Sequence, residues 1–185
     1  MKKFTKNDKD IYIDRTSALD FEIEALKGRN VFTVDISFPS SKAYRDSAIG
    51  VFDTGASNTI ISMKALYKNL TDKQYNILKN ALVNNGTTKR EFSSAKNNDK
   101  NSGDIEAFYC TLPSIKIPER DIKDFPFYMM DDRERSLILI GYDFISSCDT
   151  VQLRNGNMYF YNFDIGAMQN KMKGDNPLNL LSISI

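Results

Sequence analysis

The sequence predicts an all-β domain with minor helices, and three observations lead to this fold class. Short β-branched and aromatic segments recur along the chain between Gly, Pro, Asn and Asp residues, a pattern typical of many short strands joined by turns. Helical spacing of apolar residues is limited to short stretches, and the Asn155-Gly156 pair is a strong two-residue hairpin signal. Because a length of 185 residues suits one domain, we expect a single β-barrel or β-sandwich.

The first predicted strands lead to a carboxylate at a strand end. Residues 31–38 are β-branched and aromatic, which is typical of a strand. Residues 44–52 form a second predicted strand that leads directly into an Asp-Thr-Gly motif at 53–55, so the motif is placed where a strand ends in a tight turn. Extended structure is expected to resume at residues 59–62.

A helical segment then interrupts the strands. Apolar side chains fall at helical spacing in residues 63–70 and 71–83, which predicts two helices. Thr71 followed by Gln74 resembles a capping box, so the second helix is predicted to start there. We expect this insertion either to pack on the barrel or to meet a partner.

The second half of the chain begins with a predicted long hairpin. Residues 87–95 and 105–112 have the pattern of strands on either side of a polar tip at 96–104. The elements predicted after it are strands at 114–117, 125–130 and 137–140, a solvated charged loop at 131–135, a short helix at 142–147, a hairpin of 150–154 with 158–163, a polar linker at 168–177 and a strand at 178–185.

Charge and residue content exclude several classes of function. The chain carries 25 basic and 24 acidic residues, a net charge of +1, so it lacks the basic field that binds nucleic acid. It contains no histidine, which removes Ser-His-Asp and Cys-His catalysis and the commonest transition-metal ligand. Cys110 and Cys148 belong to no metal-binding or redox motif. Neither a metal nor another cofactor is therefore expected.

The hydropathy of the sequence indicates the cell compartment in which the protein is expected. No segment approaches the roughly 20 apolar residues of a membrane span. No apolar region of the kind found in signal peptides follows the basic start of the chain. We therefore expect a soluble, cytoplasmic protein.

Two linked motifs carry a family resemblance. The first is the Asp-Thr-Gly-Ala segment at residues 53–56, and the second is the apolar run 137–140 that ends in Gly141. With the predicted hairpin between them, these motifs resemble the retropepsin-like aspartic proteases. The resemblance covers about residues 31–163 in the order that this family uses: strands, Asp-Thr-Gly-Ala turn, flap hairpin, apolar-Gly motif, short helix and closing strands.

The resemblance implies a retropepsin-like closed acid-protease barrel, one lobe per chain, in residues 31–163. The helices at 63–83 would be an insertion, residues 87–112 the flap, and segments 1–30 and 164–185 possible dimer-interface strands. The implied site residues are the catalytic Asp53, its loop supports Thr54 and Gly55, the substrate-binding Gly55, Ala56, Ser57, Ala95 and Lys96, and Leu139, Ile140 and Gly141 of the second motif.

The chemistry explains why one such motif per chain implies a homodimer. Peptide hydrolysis without metal or histidine needs one group to deprotonate water and another to protonate the amide, and two carboxylates that share a proton can do both. A similar segment, Phe-Asp-Ile-Gly-Ala at 163–167, is not expected to supply the second carboxylate. Ile165 lacks the hydroxyl of Thr54, and only 18 residues follow Ala167. The sequence therefore predicts a homodimeric aspartic endopeptidase of peptides or proteins, with Asp53 from each subunit.

Departures from the family pattern leave alternatives open. Retroviral members carry an Asp–Arg ion pair where this chain has Ser57 and Tyr142, so the dimer contacts must be organised differently. Asp143 is expected to be the N-cap of the short helix. A simple β-turn with Gly55 at positive φ would also account for the first motif. At the level of function, the alternative is a non-catalytic dimerisation or peptide-binding module that retains the fold.

Overall fold

The computed structural model describes residues 3–6, 9–12, 19–24, 31–84, 89–92, 105–118, 120–172, 177–180 and 183. Within these residues the strands are β1 (Lys3–Lys6), β2 (Lys9–Tyr12), β3 (Leu19–Glu24), β4 (Phe32–Ser37), β5 (Ser47–Phe52), β6 (Ile60–Ser62), β7 (Lys89–Phe92), β8 (Ile105–Ile117), β9 (Arg120–Met130), β10 (Ile138–Ile140), β11 (Cys148–Arg154), β12 (Asn157–Phe163) and β13 (Leu178–Asn179). The helices are α1 (Met63–Leu66), α2 (Asp72–Asn84), α3 (Tyr142–Ile145) and α4 (Ile165–Lys171).

Six strands close a barrel. Around the ring, β4 pairs with β5, β5 with β10, β10 with β6, β6 with β9, β9 with β8, and β8 returns to β4. The β5–β10 and β6–β9 pairs are parallel, and the other pairs in the ring are antiparallel. This closed ring with few helices confirms the predicted all-β fold class.

Burial along the strands shows how the sequence specifies the barrel. In β4, Val34 and Ile36 are buried while Asp35 between them is exposed, as expected for a strand with one face on the core. Residues 125–130 at the end of β9 are all buried, so both faces of this strand are covered. The cluster that covers the outer face consists of Ala107, Tyr109, Tyr128 and Met172.

A second sheet, in the order β11, β12, β3, packs against the end of β5 through aromatic rings. The ring of Phe160 in β12 stacks on Phe52, with centroids 5.0 Å apart. Phe163 stacks on Phe144 of α3 at 4.5 Å. Because Phe52 directly precedes Asp53, these contacts fix the strand end from which the Asp-Thr-Gly segment begins.

Helix α2 packs on the barrel, one of the two arrangements expected from the sequence. The reciprocal hydrogen bonds of a capping box are present: the Thr71 amide donates to Gln74 Oε1 at 3.1 Å, and the Gln74 amide donates to Thr71 Oγ1 at 3.3 Å. Leu78 and Leu82 are fully buried and attach the helix to the core.

Two local predictions were wrong, and a third was right only in part. The segment 114–117 is not a separate strand but the end of β8, which continues through Pro113; Pro113 lies opposite Asp124, whose φ of 50° interrupts the β8–β9 ladder there without ending it. The predicted linker 168–177 begins inside α4, whose sparse apolar spacing includes the buried Met168. The charged segment 131–135 is a loop with residues 133–135 exposed, as predicted, but the first two carboxylates are nearly buried, with 10% and 11% of their side chains exposed.

Several predicted features lie wholly or partly outside the described residues. The predicted hairpin tip at 96–104 lies wholly outside them, as do the predicted site residues Ala95 and Lys96, and half of the predicted strand 178–185 lies outside them. Where that strand is described, β13 pairs in parallel with β8 of the same chain. The strand β3, which precedes residue 31, pairs with β12. In the part of the chain that is described, no helix has the length and apolar character required to cross a bilayer.

Candidate active site

Strand pairing brings the two sequence motifs to one edge of the barrel. Strands β5 and β10 run parallel, with Val51 opposite Leu139 and Phe52 opposite Ile140, so their carboxyl ends meet. The Asp53 amide extends this pairing by donating a hydrogen bond to the Ile140 carbonyl at 3.0 Å. The motifs that begin at Asp53 and end at Gly141 are therefore neighbours, although Asp53 and Ile140 are 87 residues apart along the chain.

The Asp53 side chain is held by its own turn. The Gly55 amide donates to Asp53 Oδ1 at 2.8 Å, and the Ala56 amide donates to the Asp53 carbonyl at 3.2 Å. The carboxylate is half-buried, whereas Thr54 and Gly55 are exposed. Oδ1 thus has a fixed donor while the carboxylate stays accessible from solvent.

A positive φ is not the reason for a glycine at position 55. Among the described glycines only Gly156 has one, so the simple-turn alternative is wrong in placing Gly55 at positive φ, although Asp53 does accept a backbone N–H hydrogen bond as in a simple turn. A Cβ at position 55 would instead lie 3.1 Å from Asp53 Oδ1. The glycine therefore leaves free the space next to the carboxylate, on the exposed side of the turn.

Gly141 allows two backbone segments to approach closely. A Cβ at this position would lie 2.4 Å from the carbonyl carbon of Asn58, a distance that no side chain can occupy. Next to it, the Tyr142 amide donates to the Ala56 carbonyl at 2.8 Å and the Asp143 amide donates to the Ser57 carbonyl at 3.2 Å. The loop that follows Asp53 is thereby attached to the start of α3 along its length.

Asp143 completes this attachment and is not the predicted N-cap. The N-cap of α3 is Gly141, without a side-chain hydrogen bond. The buried Asp143 carboxylate accepts hydrogen bonds from the Thr59 amide at 2.8 Å, the Thr59 hydroxyl at 2.7 Å and the Phe144 amide at 2.7 Å. Thr59 Oγ1 in turn accepts from the Gly141 amide at 3.1 Å. The N-cap prediction failed because the partner of Asp143 is distant in sequence.

Burial and hydrogen bonding have opposite effects on the pKa of the Asp143 carboxyl. Burial raises the pKa of this carboxyl above its usual value, and the hydrogen bonds from Thr59 and Phe144 oppose that shift only in part. Sequence reasoning missed Thr59 altogether. The available signal was a hydroxyl residue at the start of an otherwise apolar strand, fully buried in the structure, where an unsatisfied hydroxyl would be costly.

A row of apolar side chains lies on the strands next to the Asp53 turn. Val51 belongs to β5, which ends at Phe52 directly before Asp53. Leu139 lies opposite Val51 on one side and opposite Ile60 on the other, and all three side chains are half-buried. This row, which we call the apolar row, presents a partly exposed hydrophobic surface across three adjacent strands.

The predicted site residues are distributed as follows. The structure brings together Asp53, Thr54, Gly55, Ala56, Ser57, Leu139, Ile140 and Gly141, with Ile140 buried in the core. The similar segment at 163–167 lies elsewhere in the fold: Asp164 is the N-cap of α4 and accepts a hydrogen bond from the Gly166 amide at 2.8 Å. It follows β12 of the second sheet, not a strand of the barrel.

Comparisons with known proteins give structural likenesses. No protein-family model matches the chain, and no curated protein matches it. Among solved structures, the chain is similar to a retropepsin-like aspartic protease from Rickettsia conorii, with a TM-score of 0.43 and 11% sequence identity. The match covers 81% of this chain and 97% of the other.

Proposed function

We propose that this chain is one subunit of a homodimeric aspartic endopeptidase. The observation that carries the proposal is the setting of Asp53: an accessible carboxylate in a turn whose backbone is hydrogen-bonded to the end of the parallel strand β10. A carboxylate fixed in this way keeps its position while a substrate binds, which general acid–base catalysis requires. Each chain supplies one such carboxylate, whereas hydrolysis needs two acid–base groups.

The second carboxylate would come from Asp53 of another copy of the chain. Two carboxylates at close range cannot both ionise, so the pair retains one proton. The ionised member takes a proton from water, whose oxygen attacks the carbonyl carbon of the substrate. The protonated member hydrogen-bonds to the carbonyl oxygen, and the amide nitrogen receives a proton as the C–N bond breaks. Thr54 and Gly55, both exposed beside Asp53, would face the partner subunit and the substrate respectively.

Substrate contacts are proposed on both sides of the carboxylate pair. The apolar row of Val51, Leu139 and Ile60 would accept side chains of an extended peptide. Ala56 and Ser57 would contact the peptide backbone from the loop after Asp53. The β7–β8 hairpin, with the predicted contact residues Ala95 and Lys96, would cover the peptide as a flap and exclude water from the reaction.

The experiment is cleavage profiling of peptide libraries with wild type, Asp53→Asn and Asp164→Asn. Asp164 is a matched control, because its carboxylate accepts the same 2.8 Å hydrogen bond from a glycine two residues on. We expect wild type and Asp164→Asn to release the same peptides and Asp53→Asn to release none. Identical products from wild type and Asp53→Asn would refute the protease and leave the non-catalytic dimerisation or peptide-binding module.

A further inference from the structure

Along the chain, helix α2 precedes the hairpin that the proposed function treats as the flap. It follows β6 and α1, and β7 begins at Lys89, a few residues after α2 ends at Asn84. Its buried side chains, Leu78 and Leu82, hold it against the core. Any side chain that projects from α2 toward the hairpin therefore starts from a fixed position.

Lys79 is such a side chain. Its Nζ lies 2.6 Å from Asp131 Oδ2 and 3.6 Å from Glu106 Oε2. The Tyr75 hydroxyl, one turn earlier on α2, donates to the same Asp131 oxygen at 3.0 Å. The four residues Tyr75, Lys79, Glu106 and Asp131 are called the Lys79 cluster below.

The Lys79 cluster joins three parts of the chain. Asp131 directly follows β9, and its amide donates to the Glu106 carbonyl at 3.1 Å. Glu106 lies near the start of β8, opposite Glu91 of β7. One ammonium group thus contacts two carboxylates: Glu106 at the base of the hairpin, where the hairpin extends past the end of β9, and Asp131 directly after β9.

Charge and burial both stabilise the ion pair between Lys79 and Asp131. The Asp131 side chain is 10% exposed and that of Lys79 is 35% exposed, so this pair is shielded more than an ordinary surface ion pair. The hydrogen bond to Asp131 is the main cause that raises the pKa of Lys79, so the ammonium stays charged. Arg133 stacks 4.5 Å from the centre of the Tyr75 ring, which holds that ring in place.

We propose that Lys79 is a positioning residue that fixes the base of the β7–β8 hairpin relative to β9, and through it the affinity for substrate. The inference rests on the proposed function for its effect on substrate, and on geometry alone for its effect on the hairpin. Removal of the Lys79 ammonium takes away one cation beside Glu106 and one hydrogen-bond donor to Asp131. The hairpin base should then open more often, while Asp53 and its turn are untouched.

The first test measures amide hydrogen exchange in Asp53→Asn chains, so that no cleavage occurs. Lys79→Met is compared with Lys73→Met, which removes an exposed lysine from the same helix. We expect Lys79→Met to speed exchange in β7 and in residues 105–108 by about 5- to 30-fold, with β11 and β12 unchanged. Lys73→Met should change neither region. Unaltered hairpin exchange, or a uniform increase that includes β11 and β12, would overturn the inference.

The second test measures peptide hydrolysis with Asp53 intact. We expect Lys79→Met to raise KM by about threefold or more while kcat changes by less than about twofold, because the chemistry at Asp53 is preserved. A fall in kcat at constant KM would contradict the inference. If wild type cleaves no peptide, the proposed function fails, whereas the exchange experiment still decides the role of Lys79.

Discussion

Gly141 lies where two stretches of backbone approach too closely for a side chain. An added Cβ would come within 2.5 Å of the Asn58 carbonyl oxygen and 2.9 Å of the Thr59 amide nitrogen. Because both are backbone atoms attached to the Asp53 loop, they cannot move aside without displacing that loop.

Gly141→Ala is therefore expected to lower the free energy of unfolding by about 1–3 kcal/mol or more, as overpacking does. Urea denaturation measures the change. Gly50→Ala is the matched control, since its Cβ would meet the flexible end of Ile36, Cδ1, at 2.8 Å. Gly50→Ala should lower the free energy of unfolding clearly less than Gly141→Ala does. Equal losses would mean that the close contact with Asn58 does not determine the effect of Gly141→Ala.

Asp143 makes stability depend on pH. Burial raises the pKa of this carboxyl in the folded chain, so between its unfolded pKa, about 4, and the raised folded pKa the folded state binds more protons. The free energy of unfolding should therefore fall as pH rises through that window. Asp143→Asn, whose amide oxygen can still accept the hydrogen bond from the Thr59 amide, should remove this part of the slope. Chemical denaturation at a series of pH values tests it; an unchanged slope in the variant would contradict the assignment.

At the scale of elements, the features predicted from sequence are those encoded locally. The strand that ends at Asp53 has its own apolar and β-branched pattern, and the start of α2 is encoded within the four residues from Thr71 to Gln74. The attachment of Asp143 to Thr59 spans 84 residues, and that of Lys79 to Asp131 spans 52. No local pattern records such contacts, so the sequence predicts a cap at Asp143 and a solvated side chain at Asp131, whereas the structure has a buried carboxylate at the first and a shielded one at the second.

The capping box gives a prediction at this scale. Thr71→Ala removes the acceptor of the Gln74 amide and is expected to destabilise the chain by about 1 kcal/mol, the usual cost of a lost N-cap. Thr71→Ser keeps a hydroxyl and should lose only a small part of this. Thermal unfolding of both variants makes the comparison, and equal midpoints for Thr71→Ala and wild type would show that the cap contributes nothing.

At the scale of the whole molecule, the barrel presents one accessible carboxylate at the joined ends of β5 and β10. The only like segment, around Asp164, begins a helix on the second sheet. A functional unit with two equivalent carboxylates thus requires two chains, related by two-fold symmetry in the simplest closed assembly.

Subunit mixing tests this requirement. When wild type and Asp53→Asn subunits are mixed in equal amounts and allowed to exchange, only about one quarter of the dimers contain two intact carboxylates. Peptidase activity should fall to that fraction of an all-wild-type sample at the same total concentration. Mixing with Asp164→Asn should leave activity unchanged. Retention of half the activity with Asp53→Asn would mean that each chain acts alone.

The two aspartate turns have a practical consequence. Asp53 and Asp164 each accept a 2.8 Å hydrogen bond from a glycine two residues on, and in each turn a Cβ on that glycine would lie 3.1 Å from the carboxylate oxygen. The hydrogen bond to the carboxylate is thus matched within one molecule, while Ile165 takes the place of Thr54 and Asp164 also caps α4. A difference between these two carboxylates, in labelling by a carboxyl-directed reagent or in their NMR shifts, therefore reports on what lies beyond this shared hydrogen bond. Asp164 is therefore an internal reference, within the same molecule, for measurements on Asp53.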